Sequence, residues 1–481
     1  MNRFATAQTA LEPETEGSAF DLEDPFIGLL GQKAGRDDLW LGKAVPRYTS
    51  YPPATAFEDG VTVQAYREAL EALAPEEPIS LYLHIPYCRA LCLYCGCHTQ
   101  ATQNHEQVSS YLGSVHRELE GIALTAPRSR RVSHVHFGGG SPNMMSEKDL
   151  GLMMGSLVRR FALDDATEIA MELDPRLITR AQAQALGMLG VTRVSLGVQD
   201  FDPDVQKAIG RIQPFDQVER ACSLLREAGI RKINLDLMYG LPLQSPPSVA
   251  QTAMQALALR PDRIALFSYA HVPQAKKHQR VLEQYILPGP YAALAMEGAA
   301  RAVLREAGMV EIGMDHFARP TDSLVKALEA GTLHRNFQGY TDDQASTMLG
   351  VGASSIGRMG QGYFQNERNV AAYQERVRAE GFSVTRGLRL KGEDKLRGAI
   401  IESLLCTMKV NLESLCRARN YSLSILVGAL DRLKPFEEAG LVKREGYTIT
   451  LTTPHRMAVR VVASLFDTTT LAKDAPVSRA M

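Results

Sequence analysis

Four of the seven cysteines in this 481-residue chain lie within one short stretch, HIPYCRALCLYCGCHT at residues 84–99. They are Cys88, Cys92, Cys95 and Cys97. A structural zinc site usually takes its ligands from two short Cys-x-x-Cys segments that converge on the ion, and the sequence has no second segment of this kind. A redox-active Cys-x-x-Cys pair would leave Cys88 and Cys97 without a role.

The spacing C-x3-C-x2-C is typical of an iron-sulfur cluster. Three thiolates on one loop can each bind one iron of a cubane and leave the fourth iron open to a ligand that is not protein. Cys97 follows Cys95 so closely that it would have to fold back across the same turn to reach the fourth iron, and it would then close the site. We therefore predict that Cys88, Cys92 and Cys95 bind a [4Fe-4S] cluster and that Cys97 is a nearby thiol with another role.

The elements that position this loop follow a repeated strand-helix alternation. Six β-rich runs are separated by helical patterns, at residues 79–85, 132–137, 167–173, 192–197, 231–238 and 263–269. This alternation predicts an α/β fold with a parallel sheet covered by helices, and the near-regular unit lengths favour a partial (β/α)6 barrel. Chemistry in such a barrel lies at the C-terminal ends of the strands. The cysteine loop directly follows the first strand.

Three regions are expected along the chain. They are an N-terminal arm at 1–55, the barrel with a β-rich extension at 56–380, and a mainly helical, winged-helix-like C-terminal domain at 381–481. The third helix predicted in the last region mixes acidic and basic side chains, namely Asp431, Arg432, Lys434, Glu437 and Glu438. Such a face is poorly suited to contacting phosphates, so packing on the barrel is favoured over DNA binding.

Composition gives no further partner. Lys plus Arg (53) nearly balances Asp plus Glu (54), so no net field attracts nucleic acid or a membrane surface. The N-terminus lacks an apolar signal segment, no run of about 18 apolar residues occurs, and we expect a cytoplasmic protein. Cys222, Cys406 and Cys416 fall on predicted helices and are expected in the core.

These residues resemble the radical S-adenosylmethionine (SAM) superfamily and, within it, the oxygen-independent coproporphyrinogen III oxidase family. The resemblance covers about residues 45–465, in the family's order, and is carried by PRYTSYPP, YLHIPYCRALCLYCGC, HFGGGSPNMM, MELDP, SLGVQDF, NLDLMYGLP, YAHVP, GMDHFARP and LHRNFQGYT. It implies that the open iron of the cluster binds SAM and that an electron cleaves this cofactor to a 5'-deoxyadenosyl radical.

The resemblance also implies two bound SAM molecules. For the first it implies Gly139, Gly140 and Ser141 at the amino group, Glu172 at the ribose, and Tyr82 and Ile356 as flanking residues. Taken alone, the glycine run could be a turn and Glu172 could cap a helix. Ser141 stands where the family usually has threonine. For the second it implies Tyr94, Gln199, Arg211, Asp236 and Ala270.

The implied substrate is coproporphyrinogen III, two of whose propionates would become vinyl groups to give protoporphyrinogen IX. Glu172, Gln338 and Cys97 are the implied catalytic residues, and His316, Arg319 and Arg335 are candidate propionate ligands. The family also implies an electron donor such as flavodoxin or ferredoxin, and we expect a monomer.

Two other functions of the same superfamily stay open, a haem-binding chaperone and a radical methyltransferase. The chaperones typically lack a cysteine at position 97 and the PRYTSYP arm, and this chain has both. The arm itself has two interpretations. Its prolines and the side chains of Arg47, Tyr48, Thr49 and Tyr51 could cover a bound macrocycle, or the segment could simply pack on the barrel.

Overall fold

The computed structural model describes residues 34–127 and 131–469. The expected arm at 1–55 and the expected C-terminal region at 381–481 are therefore described only in part, because residues 1–33 and 470–481 lie outside the described residues. Among the helices that are described, none combines the length and the apolar character needed to cross a membrane.

Six parallel strands form the centre of the molecule, and they are adjacent in chain order. They are β1 (Ile79–Ile85), β2 (Val132–Gly139), β3 (Glu168–Leu173), β4 (Arg193–Gln199), β5 (Lys232–Tyr239) and β6 (Arg263–Ser268). In β1 the alternate residues Leu81 and Leu83 are fully buried, whereas Tyr82 is half-buried. All six strands predicted from the sequence are confirmed.

One long helix follows each strand and covers the sheet. These helices are α1 (His105–Thr125), α2 (Glu147–Arg160), α3 (Arg180–Met188), α4 (Phe215–Glu227), α5 (Pro246–Ala258) and α6 (Pro290–Glu306). A short helix, Pro203–Ala208, precedes α4. Ser146 and Ser245 form capping boxes that fix where α2 and α5 begin. The predicted α/β alternation is thus present.

The sheet does not close on itself among the described strands, as expected of a partial barrel. Thr347–Val351 lies parallel to β1 on its outer side, and antiparallel strands continue both edges. On the β1 side these are Ile356–Met359, Gly362–Asn366, Val384–Arg389 and Glu58–Asp59, and on the β6 side they are His316–Ala318 and Val310–Ile312. The sheet therefore reaches Arg389, past the boundary expected at residue 380.

Smaller elements complete this part of the chain. Two short strand pairs lie outside the large sheet, Tyr87–Cys88 with Gln100–Ala101 and His334–Asn336 with Gly339–Thr341. The other helices are Ala34–Asp37, Val63–Glu71, Ser323–Ala330 and Val370–Glu380, with 3-10 turns at Ala54–Ala56, Pro142–Met144, Pro175–Leu177 and Lys277–Gln284.

The C-terminal region is mainly helical, as predicted. Its elements are the helices Asp394–Thr407, Leu412–Ala418, Val427–Glu438 and Val459–Ser464, the 3-10 turns Leu423–Leu426 and Arg456–Ala458, and the strands Lys409–Asn411, Val442–Glu445 and Thr448–Leu451. The predicted hairpin is present, and Lys409–Asn411 adds a third strand to it. Cys222, Cys406 and Cys416 are buried in helices, as predicted.

The described part of the arm packs into the main core. Trp40 is fully buried and Tyr51 nearly so, and both belong to the same hydrophobic cluster as the barrel strands. The hydroxyl of Tyr48 donates to Asp467 at 2.9 Å, and Arg460 donates to the carbonyl of Val45 at 2.6 Å. The arm is therefore fastened to the last described helix as well as to the barrel.

Candidate active site

A cavity of about 560 Å³ opens at the C-terminal ends of the barrel strands. All six strands, or the loops that follow them, contribute to its lining. Thirteen of the site residues predicted from the sequence line it, namely Cys88, Cys92, Tyr94, Cys95, Cys97, Gly139, Gly140, Ser141, Glu172, Gln199, Arg211, Asp236 and Ala270. Residues spread over nearly 200 positions of sequence are thus brought into one cavity.

Short backbone contacts hold the cysteine loop in place. The strand pair Tyr87–Cys88 and Gln100–Ala101 joins the two ends of the loop. The N–H of Leu93 donates to the carbonyl of Ile209 at 2.9 Å and anchors the tip of the loop to the β4–α4 connection. Cys92 is buried, whereas Cys88 and Cys95 are half-buried and face the cavity.

Polar side chains surround the sulfurs of Cys88 and Cys92. Thr99 Oγ1 lies 3.2 Å from Cys88 Sγ, and the hydroxyl of Ser141 donates to the same sulfur at 3.6 Å. Arg211 Nη1 donates to Cys92 Sγ at 3.4 Å. Burial raises the pKa of the Cys88 thiol, while the two hydroxyls act against this. Donors aimed at sulfur favour the thiolate, which is the form that binds metal, so these residues fit an iron-sulfur cluster.

Cys97 contacts Cys95 rather than lying apart from it. The N–H of Cys97 donates to Cys95 Sγ at 3.4 Å. A hydrogen bond from the Cys97 thiol, together with this N–H, lowers the pKa of Cys95 to about 6. The loop carbonyls are held from outside, because Lys276 Nζ donates to the Cys97 carbonyl at 2.7 Å and His278 Nε2 lies 2.8 Å from the Cys95 carbonyl oxygen.

The glycine run after β2 lies tightly against the cysteine loop. Gly139 has a φ of +111°, and a Cβ on Gly140 would lie 2.5 Å from the carbonyl oxygen of Tyr87. The N–H of Ser141 donates to that carbonyl at 2.7 Å. Side chains at these two glycines would push the turn away from the loop. Gly139, Gly140 and Ser141 therefore line the cavity directly beside the cysteine loop.

Glu172, at the end of β3, is held as a carboxylate beside this turn. Its Oε2 accepts the N–H of Gly139 at 3.1 Å, and its Oε1 lies 3.1 Å from His136 Nε2. Burial alone would raise the pKa of Glu172, but these hydrogen bonds outweigh it and lower the pKa below its usual value. An ionised carboxylate at the cavity wall can accept hydrogen bonds from hydroxyl groups of a ligand.

Arg211 joins the cysteine loop to the fourth strand. It donates from Nη2 to the carbonyl of Gly197 at 2.6 Å and lies 3.5 Å from Asp174. Its Nε is buried and has no hydrogen-bond partner among residues 34–127 and 131–469. A buried guanidinium with a free donor beside the cavity is suited to an anionic or carbonyl group. Gln199, at a bulge of the same strand, has a left-handed φ of +70° and also lines the cavity.

Asp236, on β5, is the second carboxylate of the cavity. It accepts hydrogen bonds from Ser195 Oγ at 2.9 Å and from Asn234 Nδ2 at 2.7 Å. Burial raises its pKa to about 6, and the nearby charge of Glu172 acts in the same direction. Two carboxylates with opposite pKa shifts therefore share the cavity, one raised and one lowered.

Three predicted site residues do not line this cavity. Tyr82 stacks on His136 with ring centroids 5.9 Å apart, so it supports the residue that holds Glu172. Gln338 donates from Nε2 to Met348 Sδ at 3.4 Å, and Ile356 lies in the strand Ile356–Met359. Their assigned roles stay predictions.

Of the candidate propionate ligands, His316 and Arg335 both lie beside Asp315, whereas Arg319 lies apart from them. Arg319 donates to the carbonyl of Pro261 at 2.7 Å, just before β6 begins, so it lies at the sheet edge opposite the cavity. His316 pairs with Asp315 at 2.7 Å, and Arg335 is buried. Arg47 of the arm lines the cavity and donates to the carbonyl of Ser268 at 3.2 Å.

Several cavity residues were missed by the sequence analysis. Asp174 and Arg176 form an ion pair at 2.6 Å, and Arg176 Nη2 lies 4.0 Å from Cys92 Sγ. Asp174 lay in the quoted MELDP motif, which is a signal that could have identified it. His136 lay in the quoted HFGGGSPNMM motif, whereas Lys276 and His278, which hold the cysteine loop from outside the cavity lining, gave no signal because each contacts a residue distant in sequence.

Comparison with known proteins places this geometry in a family. The radical SAM superfamily model matches residues 82–255. The chain is 42% identical to the oxygen-independent coproporphyrinogen III oxidase of Bradyrhizobium diazoefficiens over 88% of this chain and 94% of that protein. It is 36% identical to the protein of that name from Escherichia coli, over 88% of this chain and 92% of that protein.

A solved structure gives the same result. The coproporphyrinogen III oxidase of Escherichia coli, described as a radical SAM enzyme, superposes with a TM-score of 0.84 at 36% identity. The match covers 88% of this chain and 97% of the other. The similarity therefore extends well beyond the six central strands.

Proposed function

Because this chain belongs to the oxygen-independent coproporphyrinogen III oxidase family of the radical SAM superfamily, we propose that it oxidatively decarboxylates two propionates of coproporphyrinogen III. The products are two vinyl groups, in protoporphyrinogen IX, and carbon dioxide. The enzyme is an oxidoreductase. Membership of the superfamily implies a [4Fe-4S] cluster and SAM as cofactors.

Cys88, Cys92 and Cys95 would hold the cluster, and their surroundings support this. Arg211 and the hydroxyls of Thr99 and Ser141 donate toward the sulfurs of Cys92 and Cys88 and favour thiolates. When bound, the cluster would supply one electron that cleaves SAM to a 5'-deoxyadenosyl radical, and this radical would remove a hydrogen atom from the propionate carbon adjoining the pyrrole. Transfer of one further electron to an acceptor and loss of carbon dioxide would then leave the vinyl group.

The turn at Gly139 and the carboxylate of Glu172 would bind the first SAM. The close approach of Gly139, Gly140 and Ser141 to the cysteine loop leaves this turn beside the thiols. Glu172 is ionised and is oriented by His136, so it can accept two hydroxyls of a ribose. Tyr82 and Ile356 do not line the cavity, so they would influence SAM binding only indirectly.

We propose a second SAM molecule in the same cavity. Tyr94, Gln199, Arg211, Asp236 and Ala270 all line it, on the side formed by β4–β6. The free Nε of Arg211 supports this assignment, because a buried donor without a partner is costly unless a ligand accepts from it. A carboxylate of a ligand would be such an acceptor.

The substrate would enter beside Arg47 and the arm. Arg47 offers a guanidinium at the cavity wall for a propionate, and the arm around it limits access of water. Gln338 and Cys97 are proposed as catalytic residues. Cys97 lines the cavity beside Cys95, where a thiol could exchange a hydrogen or proton with a ligand.

Further features are proposals on the same basis. We propose an electron donor protein such as flavodoxin or ferredoxin, a monomeric enzyme, and a division of the chain at residues 55 and 380. The sheet itself continues past the second boundary to Arg389.

One observation carries this proposal: a single cavity joins the three cysteines, the Gly139 turn, Glu172 and Arg211. The test is anaerobic incubation of the reconstituted enzyme with coproporphyrinogen III, SAM and a reductant. We expect vinyl-containing protoporphyrinogen IX that depends on both SAM and reductant. Bound haem without turnover would indicate a chaperone instead, and SAM-derived carbon on another acceptor would indicate a methyltransferase.

A further inference from the structure

A second cavity, which we call the arm cavity, lies beside the barrel and is separate from the one described above. Its volume is about 390 Å³. Most of its lining comes from arm residues 48–51, the segment 334–346, the strands at 348 and 358–363, and the helix Asp394–Thr407, and Ser80, Leu390 and Arg419 complete it. None of the cysteines of the loop at 84–99 lines it.

The acidic side chains that line the arm cavity have polar partners, whereas three of the basic side chains have none among the described residues. The acidic groups are already engaged, because Glu402 pairs with His334 at 3.1 Å, Asp343 accepts from Ser133 at 2.7 Å and Asp394 accepts from its own helix start. Three cations at the mouth make no ion pair or side-chain hydrogen bond with any residue in the described part of the chain. These cations are Arg358, Lys395 and Arg419.

A fourth cation lies deeper in the arm cavity. Arg335 is only 9% exposed, yet its Nε and Nη1 have no hydrogen-bond partner within the part of the chain that the structure describes. Its guanidinium lies 4.6 Å from the ring centre of Tyr340, and Asp315 is 3.9 Å from Nη1, too far for a hydrogen bond. Two buried donors on a charged group are expensive to leave unsatisfied, so this arginine is built to receive an anion.

Aromatic rings form part of the remaining walls. Tyr51, Phe337 and Tyr363 line the cavity, and the rings of Phe337 and Tyr363 meet edge to face at 6.2 Å. Flat apolar surfaces between cations suit a ligand that carries carboxylates on an aromatic or pyrrolic ring. Inorganic anions would leave these walls uncovered.

Charged groups connect the arm cavity with the cavity at the cysteine loop. The carboxylate of Asp315 lies beside Arg335 and is also close enough to Arg47 for their charges to interact. Arg47 lines the cysteine cavity, and the next residue, Tyr48, lines the arm cavity. The two cavities therefore lie on either side of the arm, with cations facing each.

We propose that the arm cavity binds propionate groups of a tetrapyrrole through Arg335, Arg358, Lys395 and Arg419. This inference rests on the proposed function, and it assigns residues of the C-terminal region and of segment 334–346 to ligand recognition. The propionates come either from the far side of the substrate molecule whose other propionate faces the cysteine loop, or from a second tetrapyrrole.

The test measures binding without turnover. Coproporphyrin III, the oxidised and unreactive form of the macrocycle, is titrated into reconstituted enzyme without reductant, and binding is followed by fluorescence. Its tetramethyl ester, which has the same ring and no free carboxylate, is the control ligand. The variants are Arg358→Gln, Lys395→Gln, Arg419→Gln and Arg335→Gln, and Arg417→Gln, an exposed arginine outside the cavity, is the control variant.

Each mouth variant should raise the Kd for coproporphyrin III about three- to fivefold, as expected for a partly exposed ion pair, and leave the Kd for the ester unchanged. Arg335→Gln should raise it more than about tenfold. One bound equivalent, with a parallel rise in KM for coproporphyrinogen III, would identify the substrate itself as the ligand, and two equivalents would identify a second tetrapyrrole.

Unchanged Kd values in all three mouth variants would overturn the inference, whether or not Arg335→Gln folds. Failure of this inference is distinguishable from failure of the proposed function. Normal vinyl formation with unchanged Kd values would refute only the assignment of the arm cavity as a propionate site. Altered Kd values in an enzyme that forms no vinyl product would refute the proposed function and still support a tetrapyrrole site.

Discussion

The guanidinium of Arg47, in the arm, donates to the carbonyl oxygen of Ser268 at 3.2 Å, where β6 ends. At this contact the arm lies against the cavity that the cysteine loop lines. Nearby arm residues, among them Trp40 and Tyr51, are buried in the main core. The two interpretations of the arm are therefore compatible, because the segment packs on the barrel and also presents a cation to the cavity.

Arg47→Gln is expected to uncouple cofactor cleavage from substrate oxidation. The variant keeps the buried arm residues, whereas deletion of residues 1–55 would also remove Trp40 and Tyr51 from the core. Without the guanidinium a propionate is held less firmly, so the ratio of vinyl groups to 5'-deoxyadenosine should fall about tenfold. Both products are measured in one anaerobic reaction. Lys43→Gln, on the exposed side of the arm, is the matched control, and an unchanged ratio in Arg47→Gln would show that the arm is only a strap.

Single alanine variants of the four clustered cysteines distinguish the three expected cluster ligands from Cys97. Cys88→Ala, Cys92→Ala and Cys95→Ala should each lose the [4Fe-4S] cluster, whereas Cys97→Ala should retain it, since the fourth iron must stay open. Iron content and visible absorbance after anaerobic reconstitution provide the measurement. Cys416→Ala, a buried helix residue, controls for loss of a thiol elsewhere. A full cluster in Cys92→Ala, or loss confined to Cys97→Ala, is incompatible with the assignment.

Glu172→Ala should weaken binding of SAM by about 1 to 3 kcal/mol, because it leaves ribose hydroxyls unpaired in a buried site. The substitution also removes the acceptor of the Gly139 N–H. Glu172→Gln keeps the shape and an acceptor oxygen and should lose less. SAM binding by calorimetry and cluster content are measured together. Wild-type affinity in Glu172→Ala, or loss of its cluster, would count against a role confined to the ribose.

His134 makes stability depend on pH. Burial alone would lower its pKa, but Asp342 and Asp343 outweigh this and raise the pKa to about 9. The folded state therefore holds a proton that the unfolded state releases near pH 6.5. The stabilisation, at most about 3 kcal/mol, is complete below pH 6.5 and is lost as the pH rises through 9.

Urea unfolding of wild type and His134→Gln across pH 6 to 10 measures this effect. The difference in free energy of unfolding between the two proteins should be largest at pH 6 and should shrink toward pH 10. Carboxylates elsewhere, such as Glu118 with a pKa raised by burial to about 7, affect both proteins equally. Parallel curves for the two proteins over the whole range would exclude the proposed linkage.

Local sequence patterns predicted the strands and the cysteine loop, because each depends on neighbouring residues. The alternation in ISLYLHI identifies β1, and the spacing of Cys88, Cys92 and Cys95 indicates their shared loop. Thirteen predicted residues also line one cavity, since the ends of adjacent parallel strands must meet at one edge.

Long-range contacts could not be predicted from the sequence. Lys276 holds the carbonyl of Cys97 from 179 residues away, and nothing near Lys276 predicts that contact. The strand Thr347–Val351 pairs with β1 although almost the whole barrel separates them in sequence. Arg319 is the opposite case. It is a suitable residue type in a suitable motif, but it lies at the N-terminal end of β6, away from the cavity at the cysteine loop.

The central claim is that this cavity generates a radical that removes hydrogen from substrate propionates. The most direct measurement uses coproporphyrinogen III that carries deuterium on the propionate carbons adjoining the pyrroles, incubated anaerobically with reconstituted enzyme, SAM and reductant. Mass spectrometry of the 5'-deoxyadenosine should find one deuterium transferred for each vinyl group formed. Vinyl groups accompanied by unlabelled 5'-deoxyadenosine, or labelled substrate recovered without any vinyl product, would contradict the account.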